Sequence, residues 1–493
     1  MNIKRVLNAF NALVALLVCQ LIFVFYKLVL DYDASWMHPE MNGYIQNAIH
    51  NGRGFSFRDL LLSMDWLHFD GAPRVRFASN LLLIVNTKLR LYFLSIIPLH
   101  PSISLHWIIF FLLSPFFLYK SLTNLTDNKR VALIAVCIYL MTPSSLATLN
   151  FLYHPAKPLA NFLFIFIIWM ASRAIRAKKS SFTFSALLGS ILFFACLVDE
   201  ALFFLYLLVP ILLKDFLRSD ETSRKYLLVA YFLSGIAFLV AVSFAFPLLI
   251  DLYGVGNFNF WSWAVTSNNR LLSLTLLRPF YENSVNLIWG HLVPFKGQYA
   301  AFNFGPAVIL GVVAVSLFFA VRFFRFPAQT KRLVVTFLVL LFSFIFFQTL
   351  LLTRHLSIIK DSYYYGGPVS VFLAILLALV CGSKESDKDG SVLLYLSSVL
   401  VPVYLVIILA YNYMLTNAAW RGKIDSEPTI TRTYVREFWE KRFDRDYLNS
   451  VGPTIKPRRF ESNIQELLLI SAPTPPPWNQ PLSPYMDPSI PQQ

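Results

Sequence analysis

The chain has 493 residues, of which 57% are hydrophobic and only 14% charged, with a mean hydropathy of +0.58. That composition excludes an ordinary soluble protein and describes a polytopic membrane protein. The net charge of +15 does not imply a nucleic-acid partner, because the basic residues cluster in short links between apolar runs, where they act as a topology signal.

Lys4 and Arg5 precede an apolar run over 6–30. The run is too long for a secretory core and has no small-residue cleavage site after it, so it reads as a retained first span. Further spans are predicted over 104–121, 131–149, 159–172, 183–198, 201–217, 226–250, 306–323, 333–352, 367–382 and 391–411. Several are short for a crossing of ~20 residues, so their ends extend into the links. The fold class is therefore an all-α polytopic membrane protein of about eleven transmembrane helices. Its first extracytoplasmic loop, 31–103, is amphipathic.

Starting inside, the cytoplasmic links hold Lys129, Arg130, Arg173, Arg176, Lys178, Lys179, Lys214, Arg218, Arg224, Lys225, Arg322, Arg325, Lys331, Arg332, Lys384 and Lys388. The short outer links hold only Lys157, Arg270, Arg278, Lys296, Arg354 and Lys360. This bias places the N-terminus in the cytoplasm and, with an odd span count, the C-terminus outside. The segment 77–97 is apolar but carries Lys88 and Arg90, and as a span it would invert every later link. It reads as an interfacial amphipathic helix.

The chain thus divides into a bundle over 1–411, a small amphipathic extracytoplasmic region over 412–471, and a Pro-rich tail over 472–493 that reads as extended or disordered. The four cysteines, Cys19, Cys137, Cys196 and Cys381, lie in apolar stretches without CxxC spacing and read as buried small hydrophobes. The sequon Asn124-Leu125-Thr126 falls in a predicted cytoplasmic link. No phosphate-binding loop, dinucleotide fingerprint, zinc-protease or nucleophile-elbow motif is present, and no ligand spacing demands a metal or other cofactor.

Ionisable groups crowd the outer face. Asp31 and Asp33 leave the first span. Pro39, Glu40, Tyr44, Ala48 and Gly52 have the spacing of one helix with Glu40 in its first turn, where the dipole favours an anion. Arg74 and Arg76 alternate in an extended run and point to one side. His154 and Lys157 lie in one short link, and Arg354 and His355 close the ninth span. Asp199 and Glu200 interrupt an apolar hairpin, either as a functional pair or as a tight turn. The bland alternatives are an acidic surface helix for Glu40, a solvated span exit for Asp31 and Asp33, and snorkelling anchors for the basic residues. Tyr363, Tyr364 and Tyr365 read as an interfacial belt rather than a sugar-stacking platform.

One inner span, a large outer loop opening with Glu40, Tyr44, Ala48 and Gly52, and many later spans resemble the GT-C glycosyltransferases, which include the protein O-mannosyltransferases and the aminoarabinose transferases. Gly189–Leu205 is similar to the family's Gly-rich span ending in a charged pair, although the family often carries Lys where this chain has Asp199. The resemblance covers the layout of 1–411. It implies transfer of a sugar from a polyprenyl-phosphate donor to a lipid, glycan or protein hydroxyl on the outer face of a membrane, with the bacterial inner membrane favoured. It also implies a lipid-linked donor and membrane lipids as partners, and no nucleic acid. In such enzymes the acid of the first loop is the general base, a role that falls to Glu40, with Asp33 and Asp31 as rivals. Arg74, Arg76, Lys157 and Arg354 become candidate contacts to the leaving phosphate; His154, Asp199, Glu200 and His355 are further candidates. Two other readings stay open: an envelope polysaccharide polymerase or ligase, because 251–305 forms a second large loop, and a non-enzymatic transporter or assembly factor.

Overall fold

The computed structural model describes residues 105–142, 144–145, 156–177, 181–206, 221–245, 277–284, 319–352 and 366–382, with single helical positions or pairs elsewhere. Among the described residues every element is helical. In chain order these are α1 (Leu105–Thr126), α2 (Lys129–Met141), α3 (Ala156–Ala177), α4 (Phe182–Val198), a 3-10 turn over Glu200–Phe204, α5 (Glu221–Val240) with a π-helical continuation over Ala241–Ala245, α6 (Leu277–Ser284), α7 (Ala328–Leu352) and α8 (Gly367–Gly382).

Three of these helices are long and apolar enough to cross a membrane, over Lys157–Ala177, Lys225–Ala245 and Ala328–Thr349, while Phe182–Val198 and Gly367–Gly382 are shorter apolar helices. The expectation that short spans extend into their links holds for α3, which outruns the predicted 159–172 at both ends; α7, predicted at full length over 333–352, begins earlier, at Ala328. It does not hold for α4 and α8, which keep nearly the predicted bounds. The predicted span 131–149 is broken: α2 stops at Met141, and its cap Thr142 is extended because Pro143 follows. The spans predicted over 6–30 and 391–411 and the tail from 412 lie outside the described residues, apart from helical positions 14, 15, 18 and 22. Within 77–97, positions 78, 81, 82 and 85 are helical, and Ala78 is buried in the core.

Local chemistry sets the helix ends. Asp127 takes a left-handed φ of 53°, which closes α1, and the Asn128 side chain accepts from the Val131 amide to cap α2. Ser181 caps α4 in the same way through the Phe184 amide. Hydroxyls within α1 are satisfied by their own helix: Ser114, Ser121, Thr123 and Thr126 donate to the carbonyls four residues back. In an apolar medium that is the simplest way to avoid an unpaired polar group.

The helices pack α1 on α3, α4 on α5 and α8 on α2, with α7 against α8 and the 3-10 turn. Gly189 makes the α4–α5 crossing possible, since a Cβ there would stand 2.7 Å from the Ala230 carbonyl oxygen. The outer face of α5, including Val229, Phe232, Leu233, Ile236 and Phe244, is exposed, as suits a lipid-facing helix.

Candidate functional site

Contacts between helix ends define the two ends of the bundle. At one end, Arg176 pairs with Asp127 at 3.0 Å, Asn124 donates to Ser172 at 3.2 Å, Phe182 meets Tyr226, and Gly382 abuts Thr126 and Val131. This end gathers the starts of α2, α4, α5 and α7 and the ends of α1, α3 and α8. Lys129, Arg130, Arg173, Arg176, Lys225 and Arg332 are all exposed there, with Asp127 and Glu221 as the acids. Asn124 of the sequon is the last-turn residue of α1 that bridges to α3, so it works as a packing residue.

The other end carries the polar features. Lys157 opens α3 beside Pro158, a residue suited to a first helical turn. Asp199 ends α4: its backbone is extended, its amide still donates to the Ala195 carbonyl, and the 3-10 turn starts directly after it. The α3–α4 hairpin thereby brings the Lys157 ammonium onto the Asp199 carboxylate in a buried ion pair, with the two residues 7% and 5% exposed. Desolvating either ion alone costs several kcal/mol, so each is tolerated here because the other neutralises it.

One turn further into α3, Asn161 is 4% exposed and donates through Nδ2 to the Tyr139 hydroxyl at 2.6 Å. Ser145 and Ser114, both buried, stand near the Tyr139 hydroxyl on α2. Asn161 Oδ1 has no hydrogen-bond partner among the described residues and lies against Gly367, where a Cβ would stand 3.3 Å from it. Gly367 is the first residue of α8, and Ser370 donates to its carbonyl at 2.6 Å. A polar column thus runs inward from Asp199 and Lys157 through Asn161 to Tyr139 and its serines. It stops there: the next residues along α3, Phe164, Ile165, Ile167 and Ile168, are buried among apolar side chains. Phe164 belongs to a phenyl layer with Phe204, Phe344, Phe372 and Phe337, at centroid separations of 5.1–6.4 Å.

Of the residues singled out from sequence, the structure joins Lys157 to Asp199. The backbone of Glu200 is in the 3-10 turn. Asp31, Asp33, Glu40, Arg74, Arg76, His154, Arg354 and His355 lie outside the described residues, as do Tyr363, Tyr364 and Tyr365. Lys157, expected in an outer link, is a helical residue engaged by a carboxylate, and a grip on phosphate would have to compete with Asp199. Asp199 is both the turn and the charged partner that sequence left as alternatives. Sequence reasoning missed Asn161, Tyr139 and Gly367. The available signal was the spacing of Lys157 and Asn161, four apart and so on one helix face.

Among the described residues no group of three or more His, Cys, Asp or Glu side chains could hold a metal. Cys137 and Cys196 are buried and Cys381 is partly buried, all as free thiols.

No family model matches the chain, and no curated protein matches it. Among solved structures, it is similar to the Archaeoglobus fulgidus oligosaccharyltransferase in its apo form, with a TM-score of 0.42 and 13% identity over 87% of this chain and 59% of that one. It is likewise similar to the archaeal oligosaccharyltransferase AglB from Archaeoglobus fulgidus in complex with an inhibitory peptide and a dolichol-phosphate, with a TM-score of 0.40 and 14% identity over 92% of this chain and 60% of that one. The chain spans about three fifths of the length of these two proteins. Likenesses of this size assign no chemistry to the chain, and its own residues carry the functional reading.

Proposed function

We propose that this chain is a membrane glycosyltransferase of the GT-C kind, which moves a sugar from a polyprenyl-phosphate donor to a hydroxyl of a lipid, glycan or protein on the outer face of a bacterial inner membrane. The observation that carries the reading is the Lys157–Asp199 pair: two charges desolvated at one end of an apolar bundle, the end away from the exposed cluster of Lys129, Arg130, Arg173, Arg176, Lys225 and Arg332. Ionisable groups at membrane depth are costly and mark functional sites. By the distribution of Lys and Arg, the opposite, basic end faces the cytoplasm, and this polar end faces out. The column ends at apolar α3 residues, which favours an enzyme over a transporter with a polar path through the bundle.

The acid of the first loop, Glu40 or Asp33 with Asp31 behind them, removes a proton from the acceptor hydroxyl. The freed oxygen bonds to the anomeric carbon from the face opposite the phosphate. The bond from that carbon to the phosphate oxygen breaks, and the lipid phosphate leaves with the electron pair, so the anomeric configuration inverts. Arg74, Arg76 and Arg354 meet the departing charge. Lys157 joins them only where its pair with Asp199 opens.

The test is transfer by the purified full chain from radiolabelled polyprenyl-phosphate sugars. The Glu40→Gln/Asp33→Asn double variant is expected to lose about 10²–10⁴-fold in rate. Full activity in that variant would remove both residues as the base. A product carrying many sugars in place of one would favour the polymerase reading.

A further inference from the structure

The unpartnered oxygen of Asn161 is the feature that the transfer step does not use. An amide oxygen buried without a donor is costly in an apolar bundle. Here it lies beside Gly367, whose Cα–H offers at most a weak substitute for an O–H or N–H donor. Around it are groups of mixed polarity. At the start of α8, Pro368 has no amide hydrogen and Val369 and Ser370 donate to the Gly366 carbonyl, which leaves the Gly367 N–H as the amide without an acceptor in its own helix, and the neutral Lys157–Asp199 pair stands one helical turn nearer the end of the bundle. A phosphate suits this place poorly, because Asn161 Oδ1 and the Asp199 carboxylate are both acceptors and the Lys157 charge is already compensated. A hydroxyl suits it, since it donates to Asn161 Oδ1 and accepts from the Gly367 amide at the same time.

We infer that Asn161 and Gly367, at the start of α8, form a subsite for a hydroxyl group of the donor's sugar. The inference rests on the glycosyltransferase reading and adds to it the part of the molecule that recognises the sugar rather than the lipid phosphate. The same chemistry would accept a single buried water, and the experiment separates the two sources.

Equilibrium binding to the full chain in detergent is measured for farnesyl phosphate and for its hexosides and pentoside (mannose, glucose, galactose and arabinose). Wild-type protein is expected to bind at least one glycosylated lipid about tenfold more tightly than bare farnesyl phosphate, the scale of one hydrogen bond to an otherwise unpaired buried group. Asn161→Leu is expected to abolish that advantage and leave the affinity for farnesyl phosphate unchanged. Gly367→Ala keeps Asn161 but places a methyl group against it, and is expected to act in the same direction. Its thermal unfolding midpoint, compared with wild type, reports whether the fold survives. If bare and glycosylated lipids bind equally, or if the advantage survives both substitutions, the oxygen serves a structural water and the subsite is overturned while the lipid-phosphate reading stands. If neither lipid binds, the glycosyltransferase reading fails and the subsite with it.

Discussion

At the scale of single residues, the Lys157–Asp199 pair makes the sharpest demand. Asp199→Ala leaves an ammonium buried without its counter-charge, which is expected to destabilise the protein by about 3–5 kcal/mol. The double variant Lys157→Met/Asp199→Leu removes both charges and is expected to recover most of that loss. Unfolding in mixed detergent micelles, followed by circular dichroism, measures both. Recovery in the double variant with loss of sugar transfer would assign the pair a role beyond packing. The cysteines give a second residue-scale prediction. Cys137 and Cys196 are 6% and 0% exposed, so both are expected to resist a maleimide in the folded protein and to react on unfolding. Their apolar neighbours in sequence were enough to anticipate this. Nothing local to Asn161 announced its unpaired oxygen, because its partners lie on α2 and α8.

At the scale of elements, two glycines, one on α4 and one on α5, separate crowding from helix propensity. Gly189→Ala drives a methyl group into the Ala230 carbonyl and forces α4 and α5 apart, which is expected to cost about 1–3 kcal/mol. Gly235→Ala, on α5, meets only the Tyr206 ring at an ordinary 3.6 Å and is expected to be neutral or to stabilise by up to about 1 kcal/mol through helix propensity. Thermal unfolding midpoints of the two variants, compared with wild type, check the contrast. Helix cores and several boundaries were legible in sequence because hydropathy and caps are local: α8 spans the predicted 367–382 without change. The break after α2 was less visible. It depends on Thr142 and Pro143 overruling an apolar run that continues to either side.

At the scale of the whole molecule, the separation of charge fixes an expected orientation. In a cysteine-less background, Tyr281→Cys on α6 is expected to react with a membrane-impermeant maleimide added outside intact cells. Lys129→Cys at the start of α2 is expected to react only after the membrane is opened. Tyr281 is exposed, and α6 is tied to the far end of α7 by Asn283 donating to Thr349 at 3.0 Å, so the two probes report opposite ends of the bundle. Labelling of Lys129→Cys from outside would invert the topology and remove the proposed active face from the outer leaflet.

Composition, hydropathy and the placement of Lys and Arg were enough to anticipate the apolar helices of the described residues and the cluster of exposed basic side chains at one end of them. Those properties are sums over neighbouring residues, and a linear reading captures them. The meeting of Lys157 with Asp199, 42 positions apart, and of Asn161 with Gly367 was decided only by the tertiary structure. Such contacts depend on how far each helix runs before it turns and on which face it offers its neighbour. A difference of one residue in either would turn the side chain away by about 100°, since an α-helix has 3.6 residues per turn.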